Sequence, residues 1–233
     1  MNERQQNLLK IITTQYIKTA QPVGSKLITG FEGFDLSPAT IRNEMAELEK
    51  AGYIFQPHTS AGRVPTEKGY NYFVDNFLQD SKLVKKQKDF LDQFTKTVKV
   101  FESQAAKNLA KNIAELADNA VFIAFSNNDF YYTGLSHLFS QPEFNQHQLV
   151  YNLSQIIDHF DQVLNKIFNQ VNSEVEILIG HKNPFSADCS SIIGKYQINK
   201  QIGLLGILGP QRMDYQNNFN LIQYSRELIN NLN

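Results

Sequence analysis

Between Pro57 and Thr66 the chain reads PHTSAGRVPT, which puts a histidine, a serine, two threonines and an arginine within ten residues. His58 and Ser60 are the residue types of nucleophilic catalysis, an imidazole base and a hydroxyl nucleophile. Their setting does not support that chemistry. A catalytic serine needs a base within hydrogen-bond reach and a third group to orient it. Here the two lie two residues apart in an extended chain, no carboxylate falls from Pro57 to Thr66, and no G-x-S-x-G turn is present. A flexible linker fits no better, because Pro57 and Pro65 stiffen the ends and a strand signal stands on each side. A rigid polar hairpin tip, with Thr59, Ser60 and Arg63 as donors, suits contact with phosphates or a minor groove. On this reading Arg63 adds mainly sequence-independent affinity.

The other chemistry-bearing residues are scattered. His137, His147, His159 and His181 lack the paired spacing of metal ligands, so no metal is expected. Gly203, Gly206 and Gly209 follow G-x-x-G-x-x-G, which is not the dinucleotide fingerprint, and close strand packing explains them better. Cys189, the lone cysteine, excludes an internal disulfide and reads as a small buried side chain. No catalytic constellation and no cofactor are expected.

The elements around the hairpin give it a role. Asn2–Thr19 has a helical apolar face of Leu8, Leu9, Ile12 and Tyr16. A short helix is expected over 25–29. The next helix is the best punctuated: Ser37 suits its N-cap, Pro38 its first position, and Gly52 the left-handed residue beyond its end. Ile41, Met45 and Leu48 form its buried stripe. The opposite face carries Ala39, Arg42, Asn43, Ala46 and Lys50, flanked by Thr40 and Glu47. Small residues permit close approach there, and Arg and Asn can each make bidentate contacts to base edges. Strands at 53–56 and 63–65 follow. A helix with Thr66 as cap then turns Tyr70, Phe73, Val74 and Phe77 inward. Three helices and a β-hairpin make a winged helix-turn-helix, with the third helix in the major groove. The opening stretch is then the tip of the wing.

Composition bounds the rest. The 233 residues carry 22 basic against 23 acidic side chains, which excludes a broadly basic nucleic-acid coat. Residues 81–111 alone carry eight basic and three acidic side chains, a positive band between two mildly acidic regions. The start MNERQQNLLK is polar and no apolar run is long enough for a membrane span, so a cytoplasmic protein is expected.

Leu36 to Asp75, LSPATIRNEMAELEKAGYIFQPHTSAGRVPTEKGYNYFVD, resembles the winged-helix signature of the heat-inducible transcription repressor family, HrcA. YIKTAQPVGSK upstream is similar to the family's entry into its second helix. The resemblance implies repression of heat-shock chaperone operons by binding double-stranded DNA at an inverted-repeat, CIRCE-type operator. It also implies release on heat stress, with activity maintained by a GroE-type chaperonin. The exposed face of the third helix and the wing tip together give the expected DNA-contacting set: Ser37, Ala39, Thr40, Arg42, Asn43, Ala46, Lys50, His58, Thr59, Ser60 and Arg63. An alternative of another class is a winged-helix protein acting mainly as a chaperonin-interacting stress sensor. One departure is Asn71, where the family usually has an arginine after GY.

The second half reads as mixed α and β, so the fold class is α+β. AVFIAF and DFYYTG suggest a hairpin about Ser126–Asn128, followed by one helix over 147–169. EVEILIG (174–180), SIIGKYQI (191–198) and IGLLGILG (202–209) are strand-like, and the chain closes on a helix. YTGLSHLFSQPEF and GLLGILGPQRMDY resemble the family's GAF-like regulatory domain, in a form lacking the family's inserted dimerisation subdomain. The expected division is a winged helix over 1–80, a basic helical connector over 81–118, and a reduced GAF-like domain over 119–233. A two-fold operator requires a homodimer. Val84, Leu91, Phe94, Val98, Phe101 and Ala105 follow a/d spacing and offer a seam for it. Lys82, Lys85, Lys86 and Lys88 would then lie near DNA.

Overall fold

The computed structural model describes residues 1–31, 36–79, 81–98, 100–126, 128–171, 173–198 and 200–232. It divides into two units, 1–79 and 80–233. The first unit opens on α1 (Glu3–Thr19), started by a reciprocal capping box. The Asn2 side chain accepts from the Gln5 amide, and the Gln5 side chain accepts from the Asn2 amide. After α2 (Ser25–Ile28) comes α3 (Pro38–Lys50), whose boundaries follow the sequence signals. Ser37 Oγ accepts from the Thr40 amide at 3.2 Å, Pro38 fills the first position, and Gly52 takes φ +76°. β1 (Ile54–Phe55) and β2 (Val64–Pro65) pair antiparallel, Ile54 opposite Pro65, and α4 (Glu67–Phe77) follows with Thr66 as its cap.

Leu8, Leu9, Ile12, Ile28, Ile41, Met45, Leu48 and Ile54 form one core. The buried stripe of α3 is the expected one. The inward face of α4 is corrected. Tyr70 is buried, but Phe73, Val74 and Phe77 are only half-buried, and Tyr72 packs against the core, edge-on to Tyr53 at 5.5 Å.

The second unit begins with α5 (Lys85–Thr97) and α6 (Ser103–Ala117), which belong to it rather than standing apart as a connector. Then come β3 (Ala120–Ala124), β4 (Phe130–Thr133), α7 (Leu135–Ser140), α8 (His147–Asp158), α9 (Phe160–Gln170), β5 (Val175–Ile179), β6 (Cys189–Ile198), β7 (Gln201–Pro210) and α10 (Tyr215–Asn230). The strands form one antiparallel sheet in the order β4-β3-β7-β6-β5. This is an α+β unit consistent with a GAF-like domain.

The single helix expected over 147–169 is two helices, broken at His159 (φ −120°, ψ 33°). Phe160, the first residue after the break, is buried against the rings of Phe122, Phe130 and Phe185, at 5.2–5.5 Å. α7 and the 3-10 turn over 142–145 are additions the sequence reading lacked.

The glycines of β7 are there for space. A Cβ on Gly206 would sit 2.3 Å from the Phe122 ring, and one on Gly203 2.1 Å from the Tyr196 ring. Close strand packing accounts for both. No helix among the described residues is long and apolar enough to cross a membrane.

Candidate nucleic-acid interface

On α3 the structure brings the predicted face together. Arg42 and Asn43 are exposed, and neither makes a side-chain hydrogen bond or ion pair with a described residue. Ser37 and Ala39 are exposed at the start of the helix, while Thr40 and Ala46 are half-buried. The hydroxyls of Ser37 and Thr40 lie 3.0 Å apart, within the cap itself. Lys50 pairs with Glu47 at 2.7 Å, and that bond and charge hold its pKa above the ordinary lysine value. The two side chains with unspent donors and full access are therefore Arg42 and Asn43.

At the hairpin tip His58, Thr59 and Ser60 are exposed. The tip is braced from within: Gln56 Nε2 donates to the carbonyls of Thr59 and Ala61, both at 2.9 Å, and the Ala61 amide donates to His58 O. Its hydroxyls are presented on a stiff frame.

Arg63 stands elsewhere than the sequence reading put it. It lies where the tip loop rejoins β2, and its side chain is largely covered. Nε and a terminal guanidinium nitrogen reach Glu49 Oε2 at 3.0 and 2.9 Å. The other oxygen of Glu49 accepts from the Gln56 amide at 3.0 Å. One carboxylate on α3 thus clamps both strands of the hairpin. Two backbone hydrogen bonds between Arg63 and Val23, each 2.9 Å, tie the hairpin to the segment before α2. Arg63 is a brace, not a free donor. Glu49 was missed because its partners lie seven and fourteen residues away and no local pattern marks them.

A prediction follows from the brace. Arg63→Ala leaves a partly buried carboxylate without its cation and is expected to cost about 1–2 kcal/mol, between the ranges for surface and buried pairs because both groups keep some solvent. Thermal unfolding of the first unit should shift down while the salt slope of DNA binding stays unchanged. A slope lowered by about one with unaltered stability would return Arg63 to the phosphate.

Asn71 donates from Nδ2 to Glu67 O at 2.8 Å, turning back onto its own helix. The proposed dimer seam is corrected in geometry. α5 ends at Thr97 and α6 begins at Ser103, so the six residues do not lie on one helix. Leu91, Phe94, Phe101 and Ala105 are buried inside their own unit. Val84 is exposed and Val98 half-buried. An a/d pattern also describes helices packed within their own unit, and here α5 packs on α6 while α6 packs on the sheet.

In the second unit Cys189 is fully buried, and burial, with help from Asp188, pushes its thiol up to about 12. At neutral pH it is a protonated core atom. Native protein at pH 8 should therefore resist iodoacetamide and become labelled only on unfolding; rapid native labelling would overturn this. The raised value also means stability is fully present below the ordinary thiol value of 9.0 and is lost as pH rises toward 12. No group of three or more His, Cys, Asp or Glu among the described residues could hold a metal ion.

Comparisons with known proteins agree with one another. Residues 70–218 match the family model described as the HrcA protein C terminal domain. A heat-inducible transcription repressor HrcA of Halalkalibacterium halodurans is 26% identical over 327 aligned positions, covering 96% of this chain and 95% of that protein. The HrcA of Natranaerobius thermophilus is 48% identical over 118 residues, 51% of this chain and 34% of its own. The first alignment is longer than the chain itself, so roughly a hundred positions of that relative have no counterpart here. A crystal structure of a hypothetical protein superposes with a TM-score of 0.80 at 18% identity, over 100% of this chain and 97% of that one. It shares the fold.

Proposed function

The chain belongs to the HrcA family of heat-inducible transcription repressors, and from that premise we propose that it represses heat-shock chaperone genes by binding an inverted-repeat operator. In this reading the first unit is a winged helix-turn-helix. α3 lies in the major groove with Arg42 and Asn43 on base edges, and the His58–Ser60 tip rests on the phosphate backbone. The observation that carries it is the pairing on α3 of a firmly capped helix with two exposed, uncommitted side chains of the types that can bond base edges. The protein acts as a homodimer, since a two-fold site needs two such helices. A GroE-type chaperonin maintains it in the binding-competent form, and heat releases it by drawing that chaperonin away.

A mobility-shift assay on an inverted-repeat operator, with scrambled DNA as competitor, tests the reading. Binding that survives a large excess of scrambled DNA is expected. Equal displacement by both DNAs would sink the repressor reading, and retained chaperonin association would then favour the stress-sensor alternative. Operator occupancy after a heat step should recover further with chaperonin present than without it. Equal recovery would remove the chaperonin from the mechanism.

A further inference from the structure

Beside the start of α5, within the second unit, lies a cavity of about 350 Å³ that the repressor reading does not use. That is within the usual size of small-molecule sites. One wall is a single face of α10: Asn220, Gln223, Tyr224 and Glu227, spaced i, i+3, i+4 and i+7. The other is Ser81–Leu83 with Lys88. We propose that this cavity binds a small hydroxylated organic anion, with its phosphate or carboxylate between Lys82, Lys88 and Ser81 and its hydroxyls toward Glu227.

The polar groups are arranged for such a molecule. Asn220 Nδ2 donates to Ser81 Oγ at 3.0 Å, so the serine accepts one bond and its own proton remains to be given. Lys88 Nζ stands 5.6 Å over the Tyr224 ring, and neither Lys82 nor Lys88 is in a salt bridge with a described residue. Three carboxylates stand near Tyr224: Asp92 accepts from its hydroxyl, Glu227 accepts from Gln223 Nε2 at 2.7 Å, and Asp89 is the third. Lys82 and Lys88 keep their ammonium groups without a salt-bridge partner among the described residues. Asn220 and Glu227 are seven residues apart, roughly 10 Å along the helix, which separates a donor-rich end from an acceptor end. Glu227 repels a bare anion but accepts from a hydroxyl, so the site favours a molecule with both features.

α5 supplies independent support. It starts without a side-chain cap, and its first turn holds Lys85, Lys86 and Lys88 with no acid. That charge is opposite to what a helix N-terminus favours, and a bound anion relieves it.

The test is calorimetric titration of the full chain with glucose 6-phosphate, gluconate and inorganic phosphate. At least one organic anion should bind saturably at one site per chain, ten-fold or more tighter than inorganic phosphate. The organic anion preferred identifies phosphate or carboxylate as the head group. Replacing both Lys82 and Lys88 by alanine should weaken it at least ten-fold, and since both side chains are exposed the fold should be unaffected by circular dichroism. Absence of saturable binding by both organic anions overturns the site. So does affinity that the double substitution leaves unchanged, or inorganic phosphate binding as tightly as the organic anions.

Discussion

Arg42→Ala is expected to lower operator affinity by about 1–3 kcal/mol at each half-site, the worth of one bidentate base contact. A dimer carries the change twice, so the loss on a full operator is roughly thirty-fold or more. Binding to random DNA should fall far less, and discrimination should relax at one base pair of each half-site. The warrant is the position of Arg42: exposed, unpaired, and on the face of α3 opposite Ile41, Met45 and Leu48. Lys50→Ala is the matched control. Its ammonium is exposed and already held by Glu47, so its removal should change specificity little. A loss for Arg42→Ala that is equal on operator and random DNA would make the side chain a phosphate contact.

Gly62→Ala is expected to disable the first unit more severely than any surface change. A Cβ on Gly62 would lie 2.4 Å from the carbonyl carbon of Val23, 2.5 Å from its oxygen and 2.7 Å from the amide nitrogen of Gly24. These are backbone atoms and cannot swing aside. Moving them breaks the paired Val23–Arg63 hydrogen bonds that seat the hairpin. The cost is placed at about 3 kcal/mol, the upper part of the range for overpacking. That is a large fraction of the stability of a unit this size. Thermal unfolding should show the first unit melting early while the second keeps its transition, and operator binding should be lost with it. Gly24→Ala is the contrast, because a Cβ there meets nothing within 4 Å. Equal stability of the two variants would show that the hairpin can shift as a body, and that its seat on Val23 is not what fixes it.

How far the sequence could be read depended on the range of the interaction. Caps act across three or four residues, so Ser37, Pro38, Thr66 and Gly52 announced their helix boundaries directly. The glycines of β7 were legible for a related reason, since their spacing already argued against a phosphate loop. Long-range choices were not legible. Arg63 is the same residue whether it meets a phosphate or a glutamate fourteen positions back, and only the fold brings Glu49 to it. The stripe through Leu91 and Phe101 has one pattern for two outcomes, a partner chain or neighbours within its own unit. His159 carries no helix-breaking signature, and the break there coincides with the entry of Phe160 into a ring cluster assembled from β3, β4 and the segment before β6.

The strand order has a consequence for how the protein comes to exist. β3 pairs with β4 at once through a short turn, but its other edge waits for β7, with Ala120 opposite Leu208. Ribosomes add about 5–20 residues per second, so some 4–18 s separate the two strands during synthesis. Throughout that interval Ala120–Ala124, buried at every position in the finished sheet, leaves an apolar edge without its mate. The first unit, wholly encoded ahead of it, can already be folded. Each nascent molecule thus carries this unmated edge until the ribosome has passed Leu208.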